Sequence, residues 1–311
     1  MDTEFLWERA GLFKKIRAFF DDRGYLAVDT PILSPHLIPE SCLEVFETAY
    51  LPPGNRPPVP YWLAPSPEIW MKELLARHKT PLYQICRCFR NVESVGRLHN
   101  PEFTMLEYYT TDADYRDSLV ITEEFFRALA LDSPALAPPF TRISVEEAFS
   151  RWAGTDLYGA AARNALGGEA RRLGLEAPPD ADAADLYHLI FVHAVEPRLP
   201  KDRPVALMDY PAFVPCLAKS RGHTVERWEL YVRGMELANC YSEADDPAAV
   251  REYLEREGRR KQGALVPHRI DPSYWEIFRD FPRCSGVAMG LDRLLMAITN
   301  RSLRPPAAGG T

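Results

Sequence analysis

The run from Arg87 to Tyr109 concentrates groups suited to handling an anion. Arg87, Arg90 and Arg97, with His99, Glu93, Glu102 and Glu107, fall within 21 residues and are interleaved with strand-forming aromatics. Arginine suits the task because its fixed fork meets a carboxylate or phosphate with two parallel bonds. On a strand alternate residues share a face, so one arginine can project with nearby acidic groups into a single cleft. An arbitrary Arg-x-x-Glu would mean only a surface strand carrying ion pairs. The length and order of this run argue for more.

Two further stretches carry related chemistry. In Cys284-Ser-Gly286-Val-Ala288-Met-Gly290-Leu-Asp292-Arg293 two glycines stand four apart where a strand gives way to a helix. Backbone can approach a flat ligand closely there. Asp292 sits at the helix start, where negative charge is favourable, and Arg293 where a phosphate could meet it. The stretch from Glu229 to Glu243 holds Glu236, Asn239, Tyr241 and Glu243 near Gly234. That oxygen-rich set could hold Mg²⁺ and an ammonium. Taken alone, glutamates on an exposed strand are ordinarily just solvated.

Positioning these groups requires a scaffold, and its elements can be read from pattern. Residues 4–23 form an amphipathic helix, with Leu6, Ala10, Phe13, Ile16 and Phe20 three and four apart and Gly24 placed to stop it. A short strand follows at 25–31. The proline-rich stretch 52–60 reads as a loop. Glu68 to His78 is helical, and Tyr83–Phe89 with Phe103–Tyr109 predicts a long-looped antiparallel hairpin. Residues from about 114 to 200 are alanine-rich and read as a helical insertion. Strands resume at Val205 and Glu229, a charged helix covers 247–262, and strand, turn and helix run from Cys284 to Thr299. Hairpins and insertions in place of regular β-α-β alternation predict an α+β fold, an antiparallel sheet flanked by helices.

Composition narrows the classes. A formal charge of −7 and a pI near 5.6 argue against a protein held on nucleic acid by a bulk positive field. The six cysteines include no Cys-x-x-Cys, which removes the commonest zinc signal, and their scatter fits a reducing compartment. Cys86 and Cys88 would share one strand face and pack. With no apolar signal core and no run of eighteen apolar residues, a soluble cytoplasmic protein away from membranes is expected.

Together the three chemical segments resemble the signature motifs of the class II aminoacyl-tRNA synthetases, in the lysyl subgroup. Helix 4–23 with Gly24 and Thr30-Pro31 is similar to motif 1, residues 83–109 to motif 2 and 284–296 to motif 3. Ala64-Pro-Ser-Pro-Glu68, His99-Asn-Pro-Glu-Phe-Thr and Gly234-Met-Glu236-Leu-Ala-Asn239 fall between or within these in family order. Within the subgroup the chain resembles the shortened paralogues that attach (R)-β-lysine to elongation factor P. A full lysyl-tRNA synthetase carries an N-terminal anticodon-binding domain, whereas this chain begins directly at the motif 1 helix. The resemblance therefore implies one catalytic domain over 1–304, a disordered tail at 305–311, and elongation factor P in place of tRNA as acceptor.

It also implies roles, residue by residue. Arg90 would bridge the substrate carboxylate and the α-phosphate of ATP, and Arg293 would hold the γ-phosphate side. His99 would contact phosphate, Phe103 would stack on adenine, and Glu229 and Glu236 would hold Mg²⁺. Glu68 and Asn239 would grip the amino and carboxylate ends of the amino acid, with Tyr241 also lining its site. Glu107, Tyr109 and Glu243 would receive the ε-ammonium, in keeping with the need of a buried ammonium for a carboxylate. The family pattern has glutamate where Val92 stands, so Glu93 would fill that ATP-contacting role only through a bulge. Ordinary lysyl synthetases have glycine where this chain has Ala288, as the β-lysine paralogues do; one methyl facing the amino acid is worth about 1–3 kcal/mol of discrimination. Motif 1 builds the dimer interface in the family, and Phe5, Leu6, Phe13, Phe19 and Phe20 offer more apolar surface than one stripe requires, so a homodimer is expected. The competing readings are an α-lysine ligase acting on tRNA or another carrier, and a non-catalytic protein that binds adenylate or an amino acid.

Overall fold

The N-terminal helix spans Thr3–Asp21, and its apolar stripe of Phe5, Leu12, Ile16, Phe19 and Phe20 is buried. Each such side chain contributes about 1.5–3 kcal/mol when fully removed from water. Phe20 stacks on Tyr83 with ring centroids 5.0 Å apart and meets Tyr108 at 4.8 Å. Tyr83 Oη donates to Asp21 at 2.7 Å, locking the end of the helix to the sheet. Gly24, at φ +74°, then reverses the chain.

The computed structural model of the protein describes residues 3–92, 99–131 and 133–301. Its contacts divide the chain into two units, Met1–Asp112 with Ala244–Thr311, and Ala113–Glu243. In the first unit Leu26–Ala27 runs parallel to Leu82–Phe89, which pairs antiparallel with Glu102–Thr111, itself antiparallel to Cys284–Gly290. Register pairs Tyr83 with Tyr108 and Gln84 with Glu107. Because neighbours in a ladder share a face and successive residues alternate, the tyrosines point to the N-terminal helix and Gln84 and Glu107 to the opposite side. That opposite side is covered by the helix Glu68–His78, whose Met71 and Leu75 pack with Leu82 and Tyr109.

In the second unit Thr224–Val232 lies between Met235–Ser242 and Val205–Pro211, antiparallel to both, and Thr141–Ser144 runs parallel to Val205–Pro211. Helices from Val145 to Ile190 pack on this sheet through a core that includes Phe149, Tyr187, Phe191 and Tyr231. Phe149 and Tyr187 stack at 5.1 Å, and Tyr187 stacks on Phe191 at 5.8 Å. Among the described residues no helix is long and apolar enough to cross a membrane.

The α+β class read from the sequence holds, and so do the hairpin and the Glu68–His78 helix. Three local readings change. The loop read over 52–60 ends two residues early, at the strand Val59–Leu63, which lies between Phe46–Tyr50 and Leu33–Ser34. Pro60 is tolerated because it pairs with Ala49 on one side only, beyond the two rungs made with Leu33 and Ser34. The strand Thr141–Ser144 interrupts a stretch read as helical. Phe5, Phe19 and Phe20 fill the chain's own core, and the helix leaves Leu6 and Trp7 exposed instead, Trp7 by 73%. The tail 305–311 lies outside the described residues.

Candidate active site

Arg90 follows directly on the strand Leu82–Phe89, and its N–H donates to Pro101 O at 2.9 Å, which carries the hairpin one rung further. The Arg90 guanidinium lies over the Phe103 ring, 5.3 Å from its centroid. Among the described residues its buried Nε has no hydrogen-bond partner and no carboxylate pairs with it. A buried donor left open in this way is costly unless something accepts from it. Arg87, by contrast, is the surface ion pair that an isolated arginine suggests, 3.5 Å from Glu102 with both side chains about half exposed. Glu93 and Arg97 lie outside the described residues. Val92 is 65% exposed at φ +58°, a conformation that β-branched residues rarely adopt.

On the covered face of the same hairpin, Glu107 is 3% exposed. Ser66 Oγ donates to its Oε2 at 2.6 Å and Tyr109 Oη to its Oε1 at 2.7 Å. Ser66 Oγ also accepts the Glu68 N–H at 3.1 Å, tying the start of the helix to the same carboxyl. One turn on, Lys72, fully buried, places Nζ 2.5 Å from Glu68 Oε1. Burial and the neighbouring Glu68 push the Glu107 carboxyl up to about 8, against the opposing pull of Ser66, Tyr109 and Lys72. Across the ladder Glu107 stands between Gln84 and Ala288. Gln84 Oε1 accepts from Thr30 at 2.9 Å, and its buried Nε2 has no partner among the described residues. Gly286, Ala288 and Gly290 occupy this face of the third strand, so only small side chains stand beside the carboxyl there.

The helix Leu291–Thr299 begins immediately after that strand, with Gly290 as its N-cap and no side-chain cap bond. Asp292 Oδ2 instead accepts the N–H of Thr104 at 2.7 Å. It thereby satisfies the donor next to the last rung, Met105 with Gly290, at the point where the ladder stops. Arg9 reaches the same spot, donating to Thr104 Oγ1 at 2.9 Å. Arg293 is half-buried one residue on, in the first helical turn.

In the second unit the register pairs Arg227 with Tyr241, Glu229 with Asn239 and Tyr231 with Glu236, so all six share one face. Arg227 forms a short ion pair with Glu229 Oε1, and Tyr231 Oη donates to Oε2 at 2.7 Å. Asn239 Nδ2 donates to Tyr241 Oη at 2.9 Å, and its buried Oδ1 has no partner among the described residues. Glu243, two residues past Tyr241, is buried and bridges to Ala218. Tyr187 and Tyr210 bury their hydroxyls nearby without partners among the described residues, and burial pushes both well above the ordinary phenol range.

A divalent cation fits this face in one respect. A carboxylate has about four lone-pair sites, and Glu229 uses two of them on Arg227 and Tyr231. No group of three or more His, Cys, Asp or Glu residues is placed to hold a metal among the described residues. Mg²⁺ needs no such cage, since it characteristically takes one or two carboxylates and completes its shell with substrate phosphates and water.

A family model for class II tRNA synthetases (D, K and N) matches residues 3–304. The chain belongs to that family. Its members are ligases that activate an amino acid with ATP, generally with Mg²⁺. In this chain Arg90 stands just past the strand Leu82–Phe89, Phe103 and Glu107 on the strand Glu102–Thr111, and Arg293 on the helix Leu291–Thr299.

Four residues take part in ways the sequence reading did not assign. Lys72 stands four residues after Glu68 on a helix, the spacing of an ion pair. Arg227 stands two before Glu229 on a strand, on the same face. Ser66 and Asp292 act through backbone N–H groups whose positions only the folded chain supplies.

Proposed function

We propose that this protein joins lysine or its isomer (R)-β-lysine to AMP, and passes the acyl group to a lysine side chain of elongation factor P. The buried Glu107 carboxyl, braced by two hydroxyls and facing Ala288 across the ladder, carries the choice of amino acid. Of the three amino acids the family name denotes, aspartate would bring a second negative charge to it and asparagine no positive one. Lysine brings the ammonium that a buried carboxylate needs.

In the first step a carboxylate oxygen of the amino acid bonds to the α-phosphorus as the α–β phosphoanhydride bond breaks and pyrophosphate leaves. Arg90 meets the charge developing on the α-phosphate, with Phe103 as the face for adenine, and Arg293 and His99 meet the outer phosphates. In the second unit, Glu229 and Glu236 are assigned to Mg²⁺, which offsets phosphate charge when bound. Asn239, Tyr241 and Glu243 are assigned to the amino acid. The preference for the β isomer and the acceptor rest on Ala288 and on the resemblance of the motifs to the β-lysine paralogues.

ATP–pyrophosphate exchange with both isomers, in wild type and Ala288→Gly, tests the reading. The wild type is expected to favour (R)-β-lysine, and the glycine variant to shift toward α-lysine by about ten- to two-hundredfold. Exchange with neither isomer defeats the substrate assignment, and an unchanged ratio leaves Ala288 without a selective role. Acyl transfer is then followed to elongation factor P and to tRNA.

A homodimer belongs to the same proposal. Leu6, Trp7, Leu26, Ile32 and Leu33, all at least 38% exposed, cluster in sequence around motif 1. Trp7→Asp is expected to convert a dimer to a monomer by light scattering at micromolar concentration. A wild-type monomer overturns the expectation.

A further inference from the structure

Three ionisable groups share the buried space under the helix Glu68–His78. Lys72 is fully buried, Glu107 is 3% exposed, and the Glu68 side chain is 19% exposed against Lys72 at 2.5 Å. If all three were ionised the set would carry a charge of −1 in a site with little water. Such an excess is expensive, and the ordinary remedy is for one carboxyl of the pair to keep its proton. Glu68 has the ammonium beside it, so the proton falls to Glu107. Among the described residues the other groups facing Glu107 supply no second cation: Tyr109 on its own strand, Gln84 and Cys88 on the next, Ser66 before the helix, and Ala288 across the ladder, with Arg90 six residues beyond Gln84 past the end of that strand.

An entering ammonium changes that count. With a second positive charge beside two carboxylates and Lys72, the set is neutral only if the remaining proton leaves. We propose that Glu68, Lys72 and Glu107 form a proton-exchanging ammonium site. When empty it holds one carboxyl proton, and it releases that proton to solvent as a ligand ammonium enters, with Lys72 as the fixed countercharge that sets the number at one. The O–H bond of the carboxylic acid breaks, the proton goes to buffer, and the ligand keeps all its own protons. This rests on the reading that the ligand is an amino acid bearing an ammonium. Lys72 acts here through the two carboxylates, as a positioning residue.

With the carboxyl at about 8, about 0.9 of a proton is released per ligand at pH 7 and about 0.1 at pH 9. Apparent affinity then rises about tenfold from pH 6 to pH 7 and flattens above about pH 8. The test is calorimetric titration of the full chain with L-lysine and with (R)-β-lysine, in buffers of different ionisation enthalpy, beside infrared spectra of the unliganded protein. The expected results are buffer-dependent heats and an acid carbonyl stretch at pH 7 that vanishes in Glu107→Gln. Lys72→Met should strengthen that stretch, because a second carboxyl then takes up a proton, and Lys72→Arg should return it to the wild-type intensity.

Heats independent of buffer, or an acid band unaltered in Glu107→Gln, would overturn the proposal. If neither amino acid gives any heat, the substrate reading fails, while the infrared spectra still decide the proton. Should Lys72→Met fail to fold, the wild type and Glu107→Gln carry the test alone.

Discussion

Arg90→Ala should cost about 10²–10³ in the rate of ATP–pyrophosphate exchange and almost nothing in thermal stability. The asymmetry follows from what the side chain touches. Its backbone N–H is tied to Pro101, but the guanidinium has no carboxylate partner among the described residues, and its Nε is buried without an acceptor. Among the described residues its removal breaks no ion pair and relieves an open donor. What disappears is a preorganised positive group, over Phe103, aimed at charge that appears only as the α-phosphate is attacked. An interaction made only in the transition state lowers kcat and kcat/KM together and leaves KM nearly alone. Arg90→Lys should recover little, because a point ammonium does not reproduce the two parallel bonds of the fork. Near-normal exchange in the alanine variant, or a KM rise with kcat unchanged, would remove Arg90 from this role. A drop in melting temperature of several degrees would show instead that the guanidinium holds the hairpin.

The parts of this fold that were legible in the sequence are those set by local period and local chemistry. Eleven residues from Glu68 to His78 read as a helix and form one. The aromatic alternation around Arg90 and Glu107 reads as a hairpin, and its ladder runs from Leu82–Tyr109 to Phe89–Glu102. Register was the missing quantity. Only the ladder shows that Ala288 and Gln84 flank Glu107, or that Arg227 and Tyr231 hold the two oxygens of Glu229. Burial was missing for the same reason. The N-terminal phenylalanines look like spare apolar surface in the chain, whereas Phe20 is spent against Tyr83 and Tyr108, residues more than sixty positions away. Lys72 was readable in principle as an i, i+4 partner of Glu68. A lysine on a helix is ordinarily a solvated residue, and nothing in the sequence says that Met71 and Leu75 carry it under the sheet.

Glu107→Gln should reduce the preference for lysine over norleucine by about 10²–10⁴, the equivalent of about 3–5 kcal/mol for a buried ammonium whose charged partner is removed. The substitution is nearly isosteric. The amide oxygen can still accept from one of the two hydroxyls, Tyr109 or Ser66, that brace the carboxyl, so the loss measures charge more than shape. Norleucine fills the same length with a methyl end and should be handled almost equally by both proteins. The size of the effect depends on pH in a direction that the burial of Glu107 dictates. Its carboxyl is raised from the usual carboxylate range to about 8, so at pH 7 the wild type must lose a proton before it can pair with the ammonium. That deprotonation offsets roughly one pK unit, about 1.4 kcal/mol, of the gain at pH 7 and almost none of it at pH 9. The wild-type ratio of lysine to norleucine activation is therefore expected to widen about tenfold between those two pH values. The glutamine variant, with no carboxyl at that position, should give a ratio that is both small and flat. The measurement is exchange at saturating ATP with each amino acid in both proteins at both pH values. A wild-type ratio that stays level while the variant loses it would leave Glu107 as a selector already ionised at pH 7. Equal ratios in the two proteins would move the recognition of the side chain away from Glu107 altogether.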